Sequence, residues 1–265
     1  AGKPPPSYPS DGEMSAAPVD SPAASEKPPP LEDPIFWVDL EMSGLDPSTH
    51  TILEVAVIAS DGRLSTLVEG PSLIIHHDDD VLNAMNDWSR EQHASSGLTE
   101  RCRASTVEMA EAEEAMCAFV SEHSDGRPAV LGGACVYKDK QFLDAYMPTL
   151  RGHLSHRVVD VATVRELARR WQPSAARNAP KGETKHRALD DIRYSIEECR
   201  FYRDACWKPM ERRRGHRHGR RHTGPKVKAP SDAPAVTVID TAEAAGEMLQ
   251  QMRADLEAHP ASSQT

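Results

Sequence analysis

The stretch IFWVDLEMSGLDP (35–47) opens on aromatic and β-branched residues, places two acids on either side of Leu40, and ends in a Gly-x-Asp-Pro turn signal. Its first six residues, 35–40, have the composition of an internal strand. Side chains alternate across a strand, so Asp39 and Glu41, two apart, project from the same face. Two carboxylates at the end of an apolar strand repel each other and lose hydration, and a bound cation relieves both. Alone, an Asp-x-Glu pair is common surface decoration. The preceding Ile-Phe-Trp-Val makes an internal strand the better fit.

Further strands flank this one. TILEVAVIAS (51–60) is a second strand, Asp61-Gly62 a hairpin turn, and LSTLVEGPSLIIH (64–76) a third. Helical patterns follow near 80–96 and 105–123. PAVLGGAC (128–135) reads as a buried strand and RVVDV (157–161) as a short one, with helices expected over 138–150, 162–171 and 187–205. A three-strand meander followed by alternating helices and strands predicts an α/β fold: a mixed five-stranded sheet covered by helices on both faces.

The 265-residue chain carries a net charge of −10 and only 38% hydrophobic residues. The charge argues against a protein that coats phosphate backbones, but not against an enzyme whose acids hold metal ions. Dilution of the core comes from the termini. Residues 1–33 hold nine prolines and are expected to be a disordered tail. They contain no arginine and carry Asp11, Glu13, Asp20 and Glu26, a poor mitochondrial presequence, and they show no apolar secretory core. ERRRGHRHGRRHTGPKVK (211–228) sits in an expected basic, Pro-containing linker over 208–240. It fits a solvated segment, an RNA-attracting arm or a localisation signal. Residues 241–265 are expected to hold a short amphipathic helix, with Ala245, Met248, Leu249 and Met252 on one side, and a tail. The folded domain is therefore expected over 34–207. No run approaches the length of a membrane span. Five cysteines without a CxxC pair suggest free thiols and an intracellular, reducing compartment, cytoplasmic or mitochondrial.

Three more residues extend the acid pattern. Asp139 follows the strand at 128–135 at the head of a helix, where capping is an alternative use. In KHRALDD (185–191), His186 precedes a helix and Asp191 lies in its first turn. Magnesium takes oxygen ligands and keeps waters, and two such ions about 4 Å apart can bracket a phosphodiester. An imidazole beside them can take the proton of the attacking water.

These residues carry a resemblance. WVDLEMSGLDP (37–47), DWSREQHASSGLTERCRAST (87–106), DKQFLDAYMP (139–148), DVATVRELARRW (160–171) and HRALDDIRYSIEECRFYR (186–203) resemble the oligoribonuclease family, 3′→5′ exonucleases of the DEDDh branch with a ribonuclease H-like fold. The similarity spans about 35–204 and neither terminus. It implies hydrolysis of di- to pentanucleotide single-stranded RNA to nucleoside 5′-monophosphates with two Mg²⁺ or Mn²⁺ ions. Asp39, Glu41, Asp139 and Asp191 would bind the metals and His186 would be the general base. The family's H-x-A-x-x-D spacing selects Asp191 over Asp190. Leu45 would wedge between the two 3′-terminal bases, Trp88 would stack on a base, and Arg157 would meet phosphate near the 5′ end. The family acts as a homodimer, with the 156–157 region approaching the partner's site. This chain departs from the family in Gly133-Ala134-Cys135, where Gly-Asn-Ser is usual, in His156 for a Tyr, and in Ala162 for a Ser. Cys135 and His156 thus take substrate-contacting places with altered chemistry. Activity on longer RNA or DNA, or a non-catalytic RNA-binding module of the same fold, are the alternatives.

Overall fold

The structure is a computed structural model that describes residues 31–181 and 187–207 in full and 237–240 by their backbone. Strands β1 (Ile35–Met42), β2 (Ile52–Ser60) and β3 (Thr66–Ile74) form the expected meander. Helices α1 (Asp79–Asn83), α2 (Asp87–Ser95), α3 (Leu98–Ala104) and α4 (Met109–His123) follow. Then come β4 (Ala129–Gly133), α5 (Tyr137–Tyr146), α6 (Pro148–His153), β5 (Leu154–Asp160), α7 (Val161–Trp171), α8 (Pro173–Asn178), α9 (Ala188–Cys206) and β6 (Thr237–Asp240). The sheet order is β5-β4-β1-β2-β3-β6. β2 runs antiparallel to β1 and β3, while β4 lies parallel to both β1 and β5.

All nine residues of β2 are buried, which matches its near-continuous apolar run. On β1, Phe36, Val38 and Leu40 pack into a core with Ala112, Met116 and Phe119 of α4 and Phe142 and Leu143 of α5. Trp37 faces the other way, into a core with Val161 of α7 and Ala188, Ile192 and Ile196 of α9. The helices therefore cover both faces, as expected. Asp39 and Glu41 continue the row of Trp37, so the acids lie on the α9 side. Trp37 fills the space beneath that helix and donates its indole N–H to Ser60 Oγ at 2.8 Å.

Several boundaries differ from the sequence expectation. The helix expected over 80–96 is two, α1 and α2, because Asn86 caps a new start by accepting from the Ser89 N–H at 2.9 Å. The helix expected over 138–150 breaks at Met147, before Pro148. α4 starts at 109 rather than 105, behind a capping box of Glu108 and Glu111. β5 starts three residues early, at Leu154. The N-terminal boundary also moves, since Leu31 is buried in the core of β1 and α4. The linker expected over 208–240 is corrected at its end: Thr237–Asp240 pair in parallel with Thr66–Glu69, adding a sixth strand at the β3 edge. The remainder of that linker, the Pro-rich residues 1–30 and the helix expected after 241 lie outside the described residues. Among the described residues no helix is long and apolar enough to cross a membrane.

The α9 layer is close-packed at one glycine in particular. A Cβ on Gly132 of β4 would lie 2.9 Å from the Trp37 ring and 2.8 Å from Ile35 Cγ2. Gly132→Ala should lower unfolding stability by about 1–3 kcal/mol through overpacking. Denaturant unfolding with an unchanged m-value would register this, whereas unaltered stability would mean that Trp37 has room to move.

Candidate active site

Strand β1 delivers Asp39 and Glu41 to the carboxyl end of the sheet, and α9 brings Asp191 to them from its first turn. One carboxylate oxygen from each of the three lies within 4.8 Å of the others. Asp139, in the first turn of α5 and 5% exposed, approaches from the other side of β1. Its Oδ1 accepts the Leu40 N–H at 3.0 Å, which ties α5 to the strand between the two acids. Asp190 is turned away and pairs with Arg193 at 3.3 Å. Asp191, not Asp190, therefore joins the cluster. His186 lies outside the described residues.

Burial and mutual repulsion dominate the electrostatics. Desolvation, followed by the charges of Asp139, Glu41, Asp191 and Glu54, holds the Asp39 carboxyl well above the ordinary range. Glu41 is pushed up to about 8, first by burial and then by Asp191, Glu54 and Asp139, with Arg187 opposing. Burial also raises Asp139, against the pull of the Leu40 N–H. Asp39, Glu41 and Asp139, which resist ionising together, and the neighbouring Asp191 offer hard oxygen donors that suit a divalent cation of the Mg²⁺ or Mn²⁺ type, since such an ion supplies the missing positive charge.

Around these acids, His93 was named by sequence only as a matching place in the family's middle segment, and Glu54 and Lys138 were not singled out. His93 of α2, 2% exposed, sits behind the cluster. Its Nε2 is 2.9 Å from the Met42 carbonyl and its Nδ1 is 3.9 Å from Glu41 Oε2. Glu54 of β2 stands directly across from Glu41 in the antiparallel register and is 1% exposed. Lys138 donates to the Leu45 carbonyl at 3.1 Å and to Gln141 Oε1 at 2.8 Å. The signal for Glu54 was present as a lone acid inside TILEVAVIAS, because a buried charge needs a partner. Lys138 carried no such signal.

The substrate-contacting residues divide into two groups. Leu45 and Trp88 are exposed, at 66% and 62%. The Leu45 loop is pinned at both ends of α5, by Lys138 and by the Tyr146 hydroxyl, which donates to the Pro47 carbonyl at 3.1 Å. Cys135 is exposed at the β4–α5 turn with φ +59°, a left-handed conformation uncommon for a side-chain-bearing residue. The turn is held by the Cys135 N–H, which donates to Asp160 Oδ1 at 3.0 Å. His156 and Arg157 form the second group, on the edge strand β5. Parallel register sets Leu154 beside Ala129 and Val158 beside Leu131, while Ile35 pairs with Val130. They thus stand level with the start of β1, about 13 Å along the strand from Asp39 at roughly 3.3 Å per residue. With Asp33, Ile35, Arg127 and Leu154 they line a cavity of about 430 Å³ at that far end. A single chain does not bring His156 and Arg157 to the acids.

A mixed sheet with carboxylates clustered at the carboxyl end of its central strand is the kind of site at which metal-dependent nucleases hold their ions. Comparison with known proteins places it more closely. Residues 36–199 match the exonuclease family (RNase_T). An oligoribonuclease of Halorhodospira halophila is 48% identical over 169 residues, covering 64% of this chain and 92% of its own. The human mitochondrial oligoribonuclease is 45% identical over 174 residues, covering 66% and 73%. A solved structure of E. coli exonuclease I in complex with an oligonucleotide aligns with a TM-score of 0.52 at 12% identity, over 65% of this chain and 41% of that one. The last shares the fold, and this chain spans about two fifths of its length. The chain belongs to the oligoribonuclease family, and with it to the 3′→5′ exoribonuclease hydrolases.

The raised carboxyls have a consequence for stability. A folded-state pKa above the unfolded one means that the native state binds more protons between the two values, so stability falls as pH rises through that window. For Glu41 the window runs from 4.5 to about 8. In chelator, the melting temperature should therefore drop as pH rises from 5 to 8, and Mg²⁺ should restore more of it at pH 8 than at pH 5. Glu41→Gln should flatten the chelated profile. A melting temperature that rises over this range in chelator would contradict the upward direction of the shifts.

Proposed function

We propose that the chain degrades short single-stranded oligoribonucleotides from the 3′ end, releasing nucleoside 5′-monophosphates, with two divalent cations at the carboxylate cluster. The observation that carries this is the meeting of Asp39, Glu41 and Asp191 within 4.8 Å, from segments 150 residues apart, at a half-buried site where Asp39 and Glu41 resist ionisation. Asp39, Glu41, Asp139 and Asp191 would hold the ions. When bound, these supply Lewis acidity at the scissile phosphate and lower the pKa of a coordinated water. His186 would accept the proton of the attacking water at its free ring nitrogen. Leu45, on its pinned loop, would enter between the last two bases. Trp88 would stack on a base, a contact worth roughly 1–3 kcal/mol for any sequence. The relatives that align over most of their own length are oligoribonucleases, which supports the short-RNA substrate.

His156 and Arg157 bear on the assembly. Their place at the far end of the sheet supports a homodimer in which they serve the partner's site, with Arg157 meeting the 5′ phosphate and His156 standing where a stacking Tyr is usual. Five free thiols support a reducing, intracellular location, cytoplasmic or mitochondrial.

A product-length time course on 5′-labelled RNAs of two to twenty nucleotides, with and without Mg²⁺, tests the substrate class. Dinucleotide should disappear fastest and only with metal. Preference for the longest RNA or for DNA would replace the short-RNA assignment, and no cleavage at all would favour a binding module. Asp191→Ala should abolish dinucleotide cleavage. For the dimer, Asp191→Ala and Arg157→Ala chains, each nearly inactive alone, should regain part of the activity when co-expressed, because one of the two sites then has both residues intact. Failure to complement would place Arg157 outside the partner's site.

A further inference from the structure

Glu54 is a fifth carboxylate in a place where four already repel one another. It lies on the most buried strand, opposite Glu41, and contributes to the charge that Asp39 and Glu41 experience. Such a residue destabilises the empty site, so its presence calls for a compensating use. Among the described residues its one side-chain partner is Arg187, whose Nη2 donates to Glu54 Oε1 at 3.3 Å. Arg187 is the residue at which the chain enters α9. Its carbonyl accepts the Asp191 N–H at 3.1 Å, and it follows His186 directly in sequence.

Two other ion pairs show that Glu54 is not needed to fasten α9 as a whole. Arg193 grips Glu69 of β3 with three contacts of 2.8–3.1 Å, and Glu198 receives Arg165 of α7 through two at 2.6 and 2.7 Å. Ile192 and Ile196 are buried beneath the same helix. By contrast, the Glu54–Arg187 pair makes one longer contact, and both Glu54 Oε2 and Arg187 Nε are buried without a hydrogen-bond partner among the described residues. It is half engaged where the structural pairs are fully engaged, and it acts at the one turn of α9 that carries site residues.

We propose that Glu54 is a positioning residue, which through Arg187 sets the entry of the chain into α9 and so aligns Asp191 against Asp39 and Glu41. This rests on the exoribonuclease assignment made above. It assigns Glu54 no contact with substrate or metal. The guanidinium also offsets charge at Glu41, so one arginine orients the helix start and tempers the acids beneath it.

Glu54→Gln, Arg187→Gln, Arg187→Lys and the Glu54→Gln/Arg187→Gln double variant of the full chain test this. Wild-type chain that fails to cleave a labelled dinucleotide overturns the exoribonuclease assignment and this inference with it. With wild-type active, each Gln variant should lose about tenfold or more in kcat while KM stays within about threefold, the pattern of lost alignment rather than lost binding. The double variant should be no worse than the poorer single, because both remove one interaction. Arg187→Lys should recover part of kcat. The melting temperature in chelator should hold or rise in Glu54→Gln, since a repelling charge is removed. Any loss of Mn²⁺ affinity by calorimetry should be modest and shared by Glu54→Gln and Arg187→Gln, because both act through Asp191. A tenfold loss in Glu54→Gln that Arg187→Gln does not share would make Glu54 a ligand and overturn the proposal. Unchanged kcat in either Gln variant, multiplying losses in the double, or a lowered melting temperature with kcat intact would do the same.

Discussion

Repulsion among desolvated carboxylates on one strand end organises this protein. Asp39 and Glu41 lie at the end of a row that begins with Ile35 and Trp37, in the floor of the α9 layer. Their burial and the nearness of Asp139 and Asp191 hold them well above the usual carboxylate range. A domain tolerates such a cluster because the rest of β1 and, Glu54 and Ser60 apart, the whole of β2 are apolar and packed in the core. In return, a divalent cation bound there would remove a penalty as well as make a bond.

The helices are arranged to serve that strand end. α5 offers Asp139 through the Leu40 N–H and reaches across with Lys138 and Tyr146 to steady the Leu45 loop. α2 places His93 behind Glu41. α9 is bolted along its length to β3 and α7, yet its first turn is governed separately, through Arg187 and Glu54. A rigid body with a locally tuned tip suits a site whose geometry must be held to fractions of an ångström.

Local patterning was legible where it depended on neighbours in the chain. Alternation along IFWVDLE placed the acids on one face, and the meander over 35–76 followed from three apolar runs and one Asp-Gly turn. Boundaries were less legible where side-chain caps or a proline decided them, as at Asn86, Glu108 and Pro148. The pairing of Thr237–Asp240 with β3 was not legible, because four residues in a Pro-containing stretch show no periodicity long enough to read.

The sequence by itself determined the kind of sheet, its helical cover and the chemical identity of the acids, because strand and helix periods are short-range properties. Tertiary structure decided which acids meet. It separated Asp191 from Asp190 by the rotation of α9, moved His156 and Arg157 to the opposite end through the parallel register of β5, and set Glu54 beneath Glu41. Contacts between residues more than a hundred positions apart depend on strand order and helix packing, which no local pattern encodes.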